Sequence, residues 1–513
     1  MTIVLVVVYT LALTFILLYS MAQLSLVIHY VSYHREQKRI QAKPVPVIAD
    51  KDLPFVTVQL PIFNELYVVE RLIDNIIQFD YPRDKFEIQV LDDSTDETLE
   101  ISRKKVEEWQ QRGFNIELVT RPQRIGFKAG ALQEGLKTAR GEYIAIFDAD
   151  FVPEKDFLRR TIPYFFIDPK IGVVQTRWEH MNKDYSLLTR VQAFALDAHF
   201  TVEQQGRNAG GYFINFNGTA GMWRRECIED AGGWEADTLT EDLDLSYRAQ
   251  LKGWKFKYLE DVGSPAELPM VMNAVKSQQF RWTKGGAENA KKNIRRIWKS
   301  NIKLSQKIHG TAHLLSSQVF LCVLICSVLS VPILLLKNIN PAHSNWFMLL
   351  GIFIISMIIV GIYYYCSLYR RCKNGLGALG HLIKMFPIFL AMSMGISLHN
   401  TIAVLEGVLG FKSPFIRTPK FNLSINKTWK TNKYLTKNIS LLSLLEIFLS
   451  LYFLFGFVVG LYLKEFGLLP FHLMLFIGFG LIFYYTVKHS YKVNISTKAN
   501  SLMQQSAEPE PKS

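Results

Sequence analysis

Three stretches put carboxylates where they are costly unless they bind something. Asp148-Ala149-Asp150 ends the apolar run Tyr143 to Phe147; a pair so placed suits a hard divalent cation, with a capping turn as the other reading. Such a cation can bridge a diphosphate and neutralise the charge that departs with it. Asp92 and Asp93 end a second apolar run, so one carboxylate can face a nucleotide while the other caps the helix after Ser94 and Thr95. Phe63-Asn64-Glu65 ends a third. Lys128, in the stretch RIGFKAG (124–130), opens a helix where an ammonium and backbone N–H groups can meet phosphate, unless it is simply a solvated lysine. Thr240-Glu241-Asp242 begins another helix and, taken alone, is only a capped N-terminus. Gln278, Arg281 and Trp282 follow at i, i+3 and i+4 of a basic helix and share one face. An amide, a guanidinium and an indole there suit phosphate contact and stacking on a sugar ring.

Between residues 54 and 262 the elements that must hold these groups read as short β-rich runs alternating with amphipathic helices, an α/β pattern with a mostly parallel sheet. Strands are predicted at Phe55–Pro61, Phe86–Leu91, Ile116–Thr120, Tyr143–Phe147 and Ile171–Gln175, with helices beginning near Leu66, Asp96, Lys128 and Phe157. Open α/β sheets bind ligands outside the carboxyl ends of their strands, which is where the acidic clusters fall.

The 513-residue chain is divided along its length. Runs at Thr2–Tyr30, Leu314–Leu336, Trp346–Tyr369, Ile439–Leu463 and Gly467–Val487 are each long enough to cross a bilayer core of about 30 Å. The first is too long for a cleaved leader and lacks its basic start. Basic flanks fall on one side of five crossings: Arg35 to Lys43, Arg370 to Lys373, Lys427 to Lys437, and Lys488 with Lys492. The middle segment is then cytosolic. Met385–Gly410 is as apolar as a span but carries His399, Asn400 and Glu406, and reads as a helix lying in the interface rather than a sixth crossing. A net charge of +13 resides largely in juxtamembrane clusters, which favours anionic lipid over nucleic acid. Five cysteines, four in or beside the spans, give neither a disulfide framework nor a zinc spacing.

Asp92 or Asp93, Asp148-x-Asp150, Thr240-Glu241-Asp242 and Gln278-x-x-Arg281-Trp282 together resemble the D, DxD, TED, QxxRW signature of family 2 processive glycosyltransferases. The likeness covers most of residues 55 to 290, in stretches such as QVLDDSTD, AIFDADFVP and LTEDLDLSYRAQLKGW. It is nearest to the cellulose-synthase-like mannan and glucan synthases of the A and C type. It implies an α/β GT-A (Rossmann-like) cytosolic domain plus an all-α transmembrane bundle. The corresponding boundaries are an N-terminal membrane helix (1–33), a cytosolic domain (50–300) and a bundle (312–490), with an interfacial helix at about 382–410 and a disordered tail from 498 to 513. Phe415 to Lys420 resembles the gating loop that closes over nucleotide in this family.

Carried over, the resemblance implies that Phe63, Glu65, Asp92, Lys128, Asp148, Gln278, Arg281, Thr418 and Lys420 bind nucleotide sugar, and that Asp148 and Asp150 hold Mg2+ or Mn2+. Asp242 is the implied general base, with Trp282, Asn217 and Glu241 on the acceptor side. Asn217 stands where cellulose synthases commonly have Cys. The expected reaction is inverting transfer of mannose or glucose, from GDP-mannose or UDP-glucose, to a growing β-linked polysaccharide. Membrane lipid and export machinery are the expected partners. The alternative is single-sugar transfer to a membrane lipid. Glu446, inside a predicted span, either lines a polar path or is a protonated or helix-paired glutamate.

Overall fold

Seven strands form one sheet in the order β3-β2-β1-β4-β6-β5-β7: Val56–Ile62 (β1), Phe86–Asp92 (β2), Ile116–Val119 (β3), Tyr143–Ile146 (β4), Ile171–His180 (β5), Gly221–Arg224 (β6) and Lys255–Ala266 (β7). The computed structural model describes residues 2–39, 45–339, 350–372, 374–413, 417–422, 432–435 and 439–505. All five strands expected from sequence are present, joined by β6 and β7, and only β6 runs antiparallel to its neighbours.

Side chains alternate across the pleat and divide the interior into two layers. Val58, Leu60, Ala145 and Phe147 join the core on one face. Ile144, Ile146, Val173 and Trp223 join the core on the other. Polar residues within the sheet are paired rather than stranded: Gln59 Nε2 donates to Gln89 Oε1 at 2.9 Å, and Gln89 Nε2 to Glu117 Oε1 at 2.9 Å. The helices Val69–Ile76, Thr98–Gln111 and Phe127–Thr138 follow β1, β2 and β3, close to the expected starts.

The helix Met272–Lys299 leads out of this domain into the apolar helices. Among the described residues, six helices are long and apolar enough to cross a membrane: Thr2–Gln37, Gln318–Asn338, Gly351–Cys372, Gly375–Gly395, Leu441–Tyr462 and Phe466–Ser490. That is one more than the five expected. The stretch read as a single interfacial helix is divided at Ile396 into the end of Gly375–Gly395 and a separate helix, Ser397–Leu409. Gly375–Gly395 packs on Ile354–Cys372 and on the last apolar helix, and it also touches the α/β domain at Phe194, whose ring lies 6.5 Å from His381 and 5.4 Å from Phe389. Ser397–Leu409 packs on Met272–Lys299, where His399 Nε2 meets Lys276 O at 3.0 Å. The last helix continues to Gln505, past the expected start of an irregular tail; residues 506–513 lie outside the described residues. The five cysteines are free.

Candidate active site

Parallel register aligns the carboxyl ends of β1, β2 and β4 around a cavity of about 220 Å3. Ile62 faces Asp92 across the β1–β2 pair, so the turn bearing Phe63 and Glu65 comes beside Asp93. Asn64 holds that turn with a φ of 53°. Its N–H donates to Ser94 Oγ at 2.8 Å and its Oδ1 accepts from the Thr95 N–H at 2.9 Å, local bonds that suit asparagine to the left-handed region. Glu65 is buried, which raises its pKa to about 7 even though Arg417 Nη1 lies 3.2 Å from its Oε2.

Asp92 is not part of the cavity wall. Its side chain points into the domain, 2% exposed, with Oδ1 accepting the Ser94 N–H at 2.8 Å. Asp93, on the opposite side of the strand, lines the cavity and is clasped by Arg121, whose Nε is 3.0 Å from Oδ1. At this strand end it is Asp93, and not the expected Asp92, that faces the cavity. The expected cap is corrected as well: the next helix starts at Thr98, whose N–H donates to Asp96 Oδ1 at 3.0 Å.

Asp148 and Asp150 follow β4 and both line the cavity. Asp148 N–H donates to Thr219 Oγ1 at 2.8 Å, which fixes the turn. Lys128 Nζ lies 2.5 Å from Asp148 Oδ1 and donates to Gly218 O at 2.8 Å. Lys420 Nζ lies 2.7 Å from Asp150 Oδ2. Asp150 Oδ1 is buried with no hydrogen-bond partner among the described residues. Two carboxylates on one turn, one with an orphaned oxygen, form a donor set that fits a hard divalent cation. A different acidic group, Glu235, Asp237 and Asp244, is held together by Lys292 Nζ at 2.6, 2.7 and 3.1 Å and already has its counter-charge.

Asp242 stands in the first turn of Glu241–Leu251, its Oδ1 accepting the Leu243 N–H at 2.8 Å. Burial first, and then the neighbouring Glu241 carboxylate, push its pKa up to about 7. Thr240, just before it, is wedged against Gly285, where a Cβ would meet Thr240 Oγ1 at 2.5 Å and its backbone N at 2.9 Å. The glycine thus lets the helix carrying Arg281 and Trp282 approach the turn carrying Asp242.

Gln278, Arg281 and Trp282 reach the cavity from one helical face, as their spacing predicts. Arg281 Nη2 donates to Thr418 Oγ1 at 2.8 Å, and the Trp282 and Trp178 rings lie 6.4 Å apart. Asn217 lines the wall with its Oδ1 accepting from Gln204 at 2.9 Å and Asn215 at 2.7 Å. Past Gln278 and Trp282 a second cavity, of about 260 Å3, runs between Met272, Phe320, Tyr364 and Met392 of the apolar helices. Phe63, Glu65, Lys128, Glu241, Thr418 and Lys420 complete the set in the first cavity. Phe415 lies outside the described residues.

Sequence reasoning missed Arg124, Arg417, His180 and Glu267, all on the cavity wall. Arg124 stacks over the Phe63 ring at 3.3 Å. Arg124 and Arg417 sat inside stretches already singled out, whereas His180, at the end of β5, carried no local signal.

Residues 54–285 match the family described as glycosyltransferase like family 2. Glucomannan 4-beta-mannosyltransferase 1 of Oryza sativa subsp. japonica is 41% identical over 317 residues, 58% of this chain and 61% of its own. Glucomannan 4-beta-mannosyltransferase 2 of Arabidopsis thaliana is 44% identical over 272 residues, 52% of this chain and 51% of its own. The chain thus spans about half the length of the curated relatives it matches. A mannosyltransferase of Pyrobaculum calidifontis, solved with GDP-mannose and Mn2+, superposes at a TM-score of 0.50 and 20% identity, covering 78% of this chain and 100% of its own; the two share a fold. The sheet, its acidic strand ends and these likenesses agree: residues 54–285 are similar to the family 2 glycosyltransferases, and about half of the chain is similar to glucomannan 4-beta-mannosyltransferases.

Proposed function

We propose that this chain is a membrane-embedded, inverting mannosyltransferase that extends a β-1,4-linked polysaccharide from GDP-mannose. The carrying observation is the single cavity in which Asp242 shares a wall with Asp148, Asp150, Arg281 and Trp282. The donor assignment, which sequence leaves between GDP-mannose and UDP-glucose, draws support from the mannosyltransferase names of the relatives.

Asp242 takes the proton of the acceptor hydroxyl as the new bond forms, a contribution of roughly 10²- to 10⁴-fold. Attack from the face opposite the diphosphate inverts the anomeric carbon, so an α-linked donor yields a β-linked product. Arg281 meets the negative charge that develops on the diphosphate, and Lys128 screens it from the side of Asp148. Asp148 and Asp150 are the residues that would hold Mg2+ or Mn2+, which when bound supplies a counter-charge to that leaving group. Asp93 takes the nucleotide-side role, Phe63 and Glu65 flank the base, Gln278, Thr418 and Lys420 close over the donor, and Trp282, Asn217 and Glu241 receive the acceptor.

The second cavity begins at Gln278 and Trp282 and enters the apolar helices, which favours a polymer leaving through the bundle over a single sugar placed on lipid. In this reading five helices cross the membrane and Gly375–Gly395 lies along it, because that helix touches Phe194 through both His381 and Phe389. The catalytic domain is then cytosolic in a plasma or inner membrane, with export machinery taking up the product where a second membrane must be crossed. Membranes supplied with radiolabelled GDP-mannose, UDP-glucose and other nucleotide sugars test the proposal. Long β-mannan from GDP-mannose is the expected product; one sugar on extractable lipid, or polymer from UDP-glucose alone, would overturn it.

A further inference from the structure

A cavity of about 450 Å3, sharing no residue with the first two, lies between the end of the N-terminal helix and residues 257–262 of β7. Its walls include Tyr33 and His34, three and four residues past the apolar run that ends at Tyr30. At about 1.5 Å of rise per residue those side chains stand at headgroup depth if the run fills the hydrocarbon core. Tyr33 and Tyr164 on the rim are the amphipathic rings that favour this depth.

Of the charged groups on the wall of this cavity, Lys257 is the one whose ammonium has no ion partner among the described residues. Glu260 is committed to His34 Nε2 at 3.0 Å and to Arg370 Nε at 3.6 Å, and Asp261 to Arg370 Nη2 at 3.4 Å. Arg159 is taken by Asp50 at 2.7 Å and Asp80 at 3.0 Å. Arg160 has a backbone partner, Asp261 O at 2.7 Å, and a carboxylate, Asp156, only at 4.0 Å. Lys257 makes no ion pair or hydrogen bond among the described residues; its ammonium lies 5.8 Å from the centroid of the Tyr164 ring. Burial without a counter-ion holds its pKa below the usual lysine range. A half-buried, uncompensated cation is costly, and an anion in the adjoining cavity removes that cost.

We infer that this cavity binds the phosphate headgroup of an anionic phospholipid, with Lys257 and Arg160 as its ligands and Tyr33 and Tyr164 against its glycerol backbone. The inference rests on the reading of Thr2–Gln37 as a membrane span. A lipid seated there joins the N-terminal helix to the strand that runs on, through Glu267 and Pro269, to the active-site wall. It is a site for a resident lipid, separate from donor and acceptor.

The test is native mass spectrometry of the full chain released from micelles containing equal phosphatidylglycerol and phosphatidylcholine. Selective retention of phosphatidylglycerol is expected, with a loss of roughly tenfold or more in the Lys257→Gln/Arg160→Gln variant, since each basic group near a membrane surface contributes on the order of a tenfold share. Equal retention of both lipids, or unchanged retention in the variant, overturns the inference. Release of the lipid by millimolar inorganic phosphate overturns it in favour of a free-phosphate site. Should the variant not fold, a phosphatidylglycerol carrying a photoreactive headgroup is used with the wild type: labelling of peptides containing Tyr33 or Tyr164 supports the site, and labelling elsewhere only refutes it. Labelling of a Thr2→Cys variant in intact cells by a membrane-impermeant maleimide, against the unsubstituted chain, separates the two possible failures. No added labelling refutes the span, whereas labelling with no lipid preference refutes the lipid site alone.

Discussion

Lys420 and Asp150 are paired at 2.7 Å, so a residue between the helices Ser397–Leu409 and Leu441–Tyr462 supplies the counter-charge of a strand-end carboxylate in the α/β domain. In the same segment Thr418 Oγ1 accepts a hydrogen bond from Arg281 Nη2, and Arg417 pairs with Glu65. The segment thereby ties the cavity to the bundle. Since an ammonium and a divalent cation would compete for one carboxylate, Lys420→Gln is expected to lower the Mn2+ concentration for half-maximal GDP binding by about threefold to tenfold, up to ~1.4 kcal/mol. Titration calorimetry at fixed GDP reads this. An unchanged or raised metal requirement would remove Lys420 from competition at Asp150.

Asp242→Asn keeps the shape of the side chain and deletes its basicity. Transfer is expected to fall by roughly 10²- to 10⁴-fold while GDP affinity stays within a few-fold. Radiolabel incorporation and calorimetry on the same preparation separate the two. Retained transfer would eliminate Asp242 as the base.

The elevated pKa of Asp242 sets a direction for the pH profile. A base must be ionised to accept a proton, so the rate is expected to fall about tenfold per pH unit below about 7 and to level off above it. Because the Glu241 carboxylate is one cause of the elevation, Glu241→Gln is expected to shift the midpoint to lower pH. A midpoint that stays put, or moves up, would mean that burial alone sets it.

Gly285→Ala drives a methyl group into Thr240 from the helix bearing Arg281 and Trp282. The backbone nitrogen 2.9 Å away cannot swing aside as a side chain would. We expect a cost of ~1–3 kcal/mol in thermal stability and a kcat loss out of proportion to any change in KM, because the Asp242 turn is displaced. Differential scanning fluorimetry and initial rates measure both; a kcat equal to wild type would show that the turn absorbs the strain.

Glu446 is fully buried in the helix Leu441–Tyr462 and pairs with Lys276 at 2.7 Å, just ahead of Gln278. The ion pair resolves the two sequence readings of Glu446 toward pairing within the protein. Removing only one partner leaves a buried charge, so Glu446→Gln is expected to cost about 3–5 kcal/mol, and the Lys276→Met/Glu446→Leu double variant much less. Unfolding in detergent compares them, and equal losses in the single and double variants would contradict the pairing.

The chemistry-bearing residues and the first five strands were legible because each signal is local: apolar runs of strand length, acids at their ends, and the i, i+3, i+4 spacing of Gln278, Arg281 and Trp282. β6 is four residues long, and β7 mixes lysines, acids, glycine and proline, so neither has a local pattern strong enough to be read; partners on β5 and β4 make them strands. The choice between Asp92 and Asp93 was beyond sequence for a sharper reason. Adjacent strand residues point to opposite faces, and a shift of one residue exchanges a cavity ligand for an interior side chain. Likewise length and composition make Gly375–Gly395 eligible as a span, while its ring contacts with Phe194 join residues far apart in the chain. Sequence determined which groups are available and which segments are apolar, since both are properties of residues and their spacing. Tertiary structure alone decided which carboxylate faces the cavity, that Lys420 and Arg417 come back to it, and that Lys257 has no counter-ion among the described residues. These depend on distances between residues far apart in the chain, which no local pattern encodes.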